Sequence, residues 1–234
     1  MKNRVTSFCI CAALCVIIGI AFTACGGGTA IKDDMTPSET VSAFLDAFKA
    51  QDEETMNKVY AGDGNDFVSA YEESENDDET TKALKSELMT RWLDFDYEIK
   101  GEEIAEEGKT ATVDLAITTY DMKTVFNNFY TEFMGKALEQ YSGNSNNVSE
   151  EDYNKMALEI LQEELSKVTE KEYTGEATLS LTKKDDRWVV DKIDESNNEF
   201  LNAITGGLMD VLMDVVNTMN DMEGENSGSE NSED

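Results

Sequence analysis

The chain has 234 residues, with 50 Asp and Glu against 19 Lys and Arg, and a net charge of −31. That imbalance excludes nucleic acid as a partner, because phosphate backbones demand a basic surface. There is no histidine, which removes the commonest general base, the commonest transition-metal ligand and every Ser-His-Asp arrangement.

The N-terminus carries the sharpest signal. Lys2 and Arg4 precede an uncharged apolar stretch from Val5 to Ala24, which ends in small residues at Cys25-Gly26-Gly27-Gly28. A basic start, an apolar middle and a small-residue end describe a secretory signal rather than part of a fold. Phe22-Thr23-Ala24-Cys25 resembles the lipobox of bacterial lipoproteins, with Phe22 standing where Leu is usual. The resemblance implies cleavage between Ala24 and Cys25 and a diacylglyceryl thioether on Cys25. Residues 1–24 would then be a signal peptide, and the lipid bilayer a partner through the Cys25 anchor, on the extracytoplasmic face of the cell membrane. Two or more acyl chains hold stably, since each buried CH₂ contributes about 0.8 kcal/mol. The alternative is an uncleaved span, for which roughly 20 apolar residues suffice.

Cysteine usage fits export. Cys9, Cys11, Cys15 and Cys25 are the only four cysteines. A processed chain would keep no thiol except the lipidated one, which excludes disulfides, thiolate metal sites and cysteine nucleophiles. Loss of Lys2 and Arg4 takes the net charge to −33. An acidic surface of that kind keeps a tethered domain soluble and away from anionic lipid.

Residues 25–35 read as a flexible tether. Thr36-Pro37-Ser38-Glu39 then opens a helix, with Thr36 as N-cap, Pro37 at the first helical position and Glu39 closing a capping box. Val41, Phe44, Leu45 and Phe48 give it an apolar stripe. A short helix from Glu53 to Tyr60 leads to a turn at Ala61–Asp66, an acidic loop, and a helix from about Thr80 to Trp92. Phe95, Tyr97 and Ile99 alternate with charged residues, as do Ala111, Val113, Leu115 and Ile117 with polar ones. The two runs form a hairpin closed around Gly108. Helices follow from about Asp121 to Tyr141 and from a second capping box at Ser149/Asp152, forming a helical hairpin over about 121–170. Strands are expected over Tyr173–Thr182 and Arg187–Ile193. A last helix, about Ser196 to Met222, is interrupted at Gly206-Gly207, where it bends or another backbone packs closely. Residues 223–234 are acidic and low in apolar content, as in a disordered tail.

This order gives an α+β fold, an antiparallel sheet of about four strands with helices on one face. TPSETVSAFLDAFKAQDEETMNKVY (Thr36 to Tyr60), RWVVDKI (Arg187 to Ile193) and NNEFLNAITGGL (Asn197 to Leu208) resemble the NTF2-like (cystatin-like) lipoproteins of Gram-positive bacteria, families of unknown function. The resemblance implies one NTF2-like domain over 36–222, with the helical hairpin as an insertion that the simplest NTF2-like layout lacks.

Related ketosteroid-isomerase-like enzymes use an Asp base and Tyr donors in a pocket, and Asp94, Asp96, Tyr97, Asp114 and Tyr120 offer those groups. The alternation places Asp96 and Asp114 toward solvent, so no catalytic residue is assigned. Asp63-Gly64-Asn65-Asp66 and residues 75–79 offer oxygen ligands, but not at EF-hand spacing, and acidic turns are usually solvated. No metal or cofactor is therefore expected. Phe126, Phe129, Tyr130 and Phe133, with methionines at 209, 213, 219 and 222, offer adaptable apolar surface. They make a candidate face for a small apolar ligand or a protein partner, although an amphipathic helix ordinarily faces a core. The expected function is a membrane-anchored, non-enzymatic binding or interaction domain. The alternatives are a pocket enzyme or a solute-binding component of a transporter.

Overall fold

The computed structural model describes residues 31–32, 34–64, 78–142, 149–194 and 197–215. The expected signal peptide, Cys25, most of the expected tether and the acidic residues 223–234 lie outside the described residues. No helix among the described residues is long and apolar enough to cross a membrane.

The fold is α+β. Helices α1 (Pro37–Ala50), α2 (Glu53–Val59) and α3 (Glu79–Leu93) precede strands β1 (Asp96–Ile104) and β2 (Thr110–Thr119). Helices α4 (Met122–Ser142) and α5 (Glu150–Lys167) come next, then β3 (Tyr173–Lys184), β4 (Arg187–Val190), α6 (Asn198–Ile204) and α7 (residues 208–215). The strands form one antiparallel meander in the order β1-β2-β3-β4. The helical hairpin is inserted between two strands that are direct neighbours.

Local chemistry sets the elements. At α1 the Thr36 amide donates to Glu39 Oε2 at 2.8 Å and the Glu39 amide to Thr36 Oγ1 at 3.2 Å, completing the capping box. Ser149 and Asp152 do the same for α5. Gly108, at φ +65°, turns β1 into β2. Asp185 and Asp186, at φ +48° and +65°, make the two-residue turn between β3 and β4, whose positive φ matches the strand twist.

One face of the sheet is filled. Val113, Leu115 and Ile117 of β2 and Ala177, Leu179 and Leu181 of β3 lie buried beneath Val41, Phe44, Leu45 and Phe48 of α1 and Phe200, Ala203 and Ile204 of α6. The Phe44 ring is 5.2 Å from Tyr60 and 6.2 Å from Phe200. The other face is polar: Thr118 meets Thr174 at 3.1 Å, and Thr178 donates to Asp114 at 2.7 Å. A second, smaller core joins Leu84 of α3, Val125 of α4 and Leu165 of α5.

One expectation needs correction. β4 ends at Val190 rather than Ile193, because the chain leaves the sheet there and the Ile193 amide donates to the Tyr60 hydroxyl at 3.1 Å. The interruption expected at Gly206-Gly207 separates α6 from α7, and of the two causes considered the structure shows close packing of another backbone. Gly206 and Gly207 adopt φ +64° and +79°, and a Cβ on Gly206 would lie 2.0 Å from the Tyr120 carbonyl oxygen. The Lys123 amide donates to the Gly206 carbonyl at 2.9 Å, so the break seats the start of α4.

Candidate functional site

β3 is 12 residues long and β4 only four. β4 pairs with residues 181–184 of β3, and the Asp191 amide adds one bond to the Ser180 carbonyl at 2.9 Å. Residues 173–179 therefore have β2 on one side and no strand on the other among the described residues. An open groove of about 580 Å³ runs along this free edge and onto the polar face of the sheet.

Glycine and helix α6 set the far wall. A Cβ on Gly175 would sit 2.8 Å from the Ala203 Cα, so α6 rests directly on the strand at that point. A glycine inside a strand is a recognised sign of close backbone approach. Glu199 and Asn202 project from α6 into the groove, facing Tyr173, Glu176 and Thr178. Asn202 is fixed at both ends of its amide: Nδ2 donates to the Tyr173 hydroxyl at 3.3 Å, and Oδ1 accepts from the Asp210 amide at 3.1 Å. The Tyr173 hydroxyl titrates above its ordinary value because of burial and then the negative charge of Asp210. Asp114, Glu176 and Glu199 give the groove an acidic lining against Lys100, and Lys100 is itself paired with Glu98 at 2.6 Å. None of these groove residues except Asp114 was singled out from sequence. The available signal was Gly175 within a strand.

The five residues considered for pocket chemistry do not converge. The Tyr120 hydroxyl donates to Asp94 Oδ2 at 2.8 Å, and Lys171 Nζ reaches Asp94 Oδ1 at 2.6 Å and Asp96 Oδ2 at 3.0 Å. Arg91 lies over the Tyr120 ring at 5.2 Å and donates to the Val168 carbonyl. Burial alone would raise the Asp94 carboxyl, but hydrogen bonds from Lys171 and Tyr120 outweigh it and hold the carboxyl below its ordinary value. Tyr120 is raised, first by its bond to Asp94 and then by burial. Burial likewise opposes the Lys171 charge, yet its bonds to Asp94 and Asp96 leave the ammonium raised. Each group is thus held in its ordinary charge state, as a strut joining the end of α3 to β1, β2 and the start of β3.

The other two stand apart. The Tyr97 hydroxyl donates to Asp46 Oδ1 at 2.9 Å, and burial followed by that carboxylate raises it strongly. Asp114 accepts from Thr178 on the open face.

On α4, Phe126 packs into the small core. Its ring lies 6.2 Å from Phe129, which stacks on Phe133 at 5.8 Å and 18°. Tyr130 lies on a different strip of the helix, with Met134 and Leu138 at successive intervals of four. These three are 47%, 39% and 62% exposed. Phe126, Phe129 and Phe133 are half-buried, so the four aromatics divide between a ladder along the hairpin and an outward strip. Met213 is exposed and Met209 half-buried, whereas Met219 and Met222 lie outside the described residues. Beside the ladder, Glu164 is buried, accepting from Asn128 Nδ2 at 3.0 Å and Lys167 Nζ at 2.5 Å.

Ala24 and Cys25 lie outside the described residues, as does most of the acidic loop considered for calcium. Among the described residues no three acidic side chains come together in a metal-binding arrangement.

No family model and no curated protein matches the chain. The fold is similar to the crystal structure of a protein described as a "putative lipoprotein (ycdA)" from Bacillus subtilis, with 18% sequence identity and a TM-score of 0.43. The match covers 74% of this chain and 56% of that one, so the chain spans little more than half of that protein's length.

Proposed function

We propose that the chain is a lipoprotein, tethered through a lipid on Cys25 to the extracytoplasmic face of the membrane, whose NTF2-like domain binds a protein partner without catalysis. The observation that carries the binding role is the open acidic groove along the edge of β3 that no strand meets among the described residues. It presents backbone and side-chain groups to a ligand that comes to it from outside. The helix-facing side of the sheet, where an NTF2-like pocket would lie, is filled by side chains of α1 and α6. That filling favours a protein partner over a small apolar ligand. The anchor rests on the residue pattern at Phe22–Cys25.

A second reading, a pocket enzyme, draws on the Asp94–Tyr120 contact. Against it, Lys171 already satisfies the carboxylate and keeps it a weak base, whereas a general base works best with a pKa near the operating pH.

The test is metabolic labelling with a clickable fatty acid in a Gram-positive host, together with fractionation. The wild-type chain takes up label and sediments with membranes, while Cys25→Ala is unlabelled and loses the processed lipid-anchored form. Label persisting in Cys25→Ala would overturn the anchor. Turnover of a substrate that Asp94→Asn abolishes would overturn the non-enzymatic role.

A further inference from the structure

The Ser180 carbonyl accepts from Asp191, on the side of β3 away from β2. In an antiparallel strand the N–H and C=O of one residue point to the same side, and successive residues alternate. Thr174, Glu176 and Thr178 therefore turn their amides and carbonyls outward along the groove, and no strand meets them among the described residues. Exposed edges of this kind template the addition of another strand, and proteins ordinarily blunt them with bulges, lysines, prolines or covering segments.

The other edges carry those devices. β1 is kinked by a bulge at Lys100. β4 is covered by Tyr60, which bridges Val190 in parallel, and by the Ala61 amide, which donates to the Val190 carbonyl at 2.8 Å. Residues 173–182 contain no lysine or proline, and their register with β2 runs without a shift. Among the described residues the edge carries no bulge and no covering strand, and α6 forms its wall.

We propose that this edge receives an extended polypeptide carrying basic side chains, which adds to the sheet as a strand beside β3, in the groove against α6. The inference rests on the binding role proposed above and names its partner class. Backbone pairing with Thr174, Glu176 and Thr178 supplies the hold, and side chains at alternate positions supply the choice of partner. Glu176, Glu199 and Asp114 select lysine or arginine at those positions. Two of the chain's own segments outside the described residues are the wrong sign: residues 65–77 hold five acidic and no basic residues, and residues 216–234 hold six and none. A second copy would set Glu176 and Glu199 against their own counterparts.

The experiment uses the full chain in mild detergent and three synthetic octapeptides: alternating valine and lysine, alternating valine and glutamate, and the lysine peptide with two central valines replaced by proline. Residue-resolved amide exchange is read by NMR, and affinity by fluorescence anisotropy at two salt concentrations. The outward amides of residues 174, 176 and 178 exchange fast in the free protein and slow at least tenfold with the lysine peptide. The proline and glutamate peptides bind at least tenfold more weakly. Glu176→Lys and Glu199→Lys each weaken the lysine peptide several-fold while leaving the thermal midpoint nearly unchanged.

Equal binding of the proline peptide would overturn strand addition in favour of charge attraction alone, without touching the reading of a tethered binding domain. Protection of those amides in the free protein would overturn it too. In that case sedimentation would separate a self-paired dimer from an edge covered by the chain itself. No perturbation of the groove by any of the three peptides would overturn the partner class, while the binding role would fail only by the turnover test above.

Discussion

The carbonyl oxygen of Tyr120 occupies the space that a side chain on Gly206 would need, 2.0 Å from where its Cβ would sit. Gly206 is also at φ +64°, a conformation that any residue with a Cβ adopts at a cost. The two constraints act together, because the left-handed backbone turns the Gly206 carbonyl toward the Lys123 amide. Gly206→Ala is expected to lower stability by about 2–4 kcal/mol, combining strain with overpacking. Urea denaturation of the variant checks this.

Asp94 links stability to pH. Its carboxyl is held below the ordinary value in the folded protein, so its contribution is fully present above the unfolded value of about 3.9 and is lost as pH falls through the folded value. Asp94 is 47% exposed, and solvent screening limits the contribution to about 1 kcal/mol. Asp94→Asn should be less stable than the wild type at pH 7 by about that amount. The gap should close in the acid window below about pH 3.9, where the wild type also loses the charge. Chemical denaturation at pH 7 and pH 3 measures both.

The helical hairpin should respond unevenly to truncation. Leu165 is fully buried, whereas Leu138 is 62% exposed. Leu165→Ala should cost about 2–5 kcal/mol through lost burial and a cavity. Leu138→Ala should change stability by less than about 0.5 kcal/mol. Similar losses for both, measured by thermal unfolding, would mean that the outward strip of α4 is covered in the folded protein.

Glu102 holds the start of α1. The amide and hydroxyl of Ser38 both donate to Glu102 Oε2, at 2.9 and 2.6 Å, placing a negative charge at a helix N-terminus. Glu102→Gln should cost about 0.5–1 kcal/mol. Its neighbour Glu103 pairs on the exposed side with Thr112, so Glu103→Gln should be near neutral. Paired urea titrations distinguish them.

Features governed by neighbouring residues were legible in the sequence. Thr36 with Glu39 and Ser149 with Asp152 announce their helices three residues at a time, and Gly108 announces its turn. The alternation from Ala111 to Ile117 identified the buried face of β2. What was hidden depends on partners far along the chain. The bulge at Lys100 puts Glu102 on the helix side of β1, opposite Val113, and simple alternation read from Phe95 carries no sign of it.

For the strut, Asp94 and Tyr120 were recognisable as residue types. Lys171, 77 positions from Asp94, decides their charge states, and an ion pair at that separation leaves no periodic mark. The groove escaped for a related reason. It arises from β4 ending early, and a four-residue strand that hands its last carbonyl to Ala61 looks no different in sequence from a longer one.

The insertion of α4 and α5 between neighbouring strands bears on how the molecule comes together. Thr119 and Tyr173 are directly opposite in the sheet, yet pairing them closes a loop of about 50 residues, whose entropy cost precedes any reward from the ladder. Helices form within microseconds and a hairpin of two of them is local in sequence. Once α4 and α5 lie antiparallel, the ends of the loop are already close. The inserted hairpin is then a clasp that brings the two central strands of the sheet within reach of each other, and substitutions that loosen Val125 or Leu165 should slow the formation of a sheet they do not belong to.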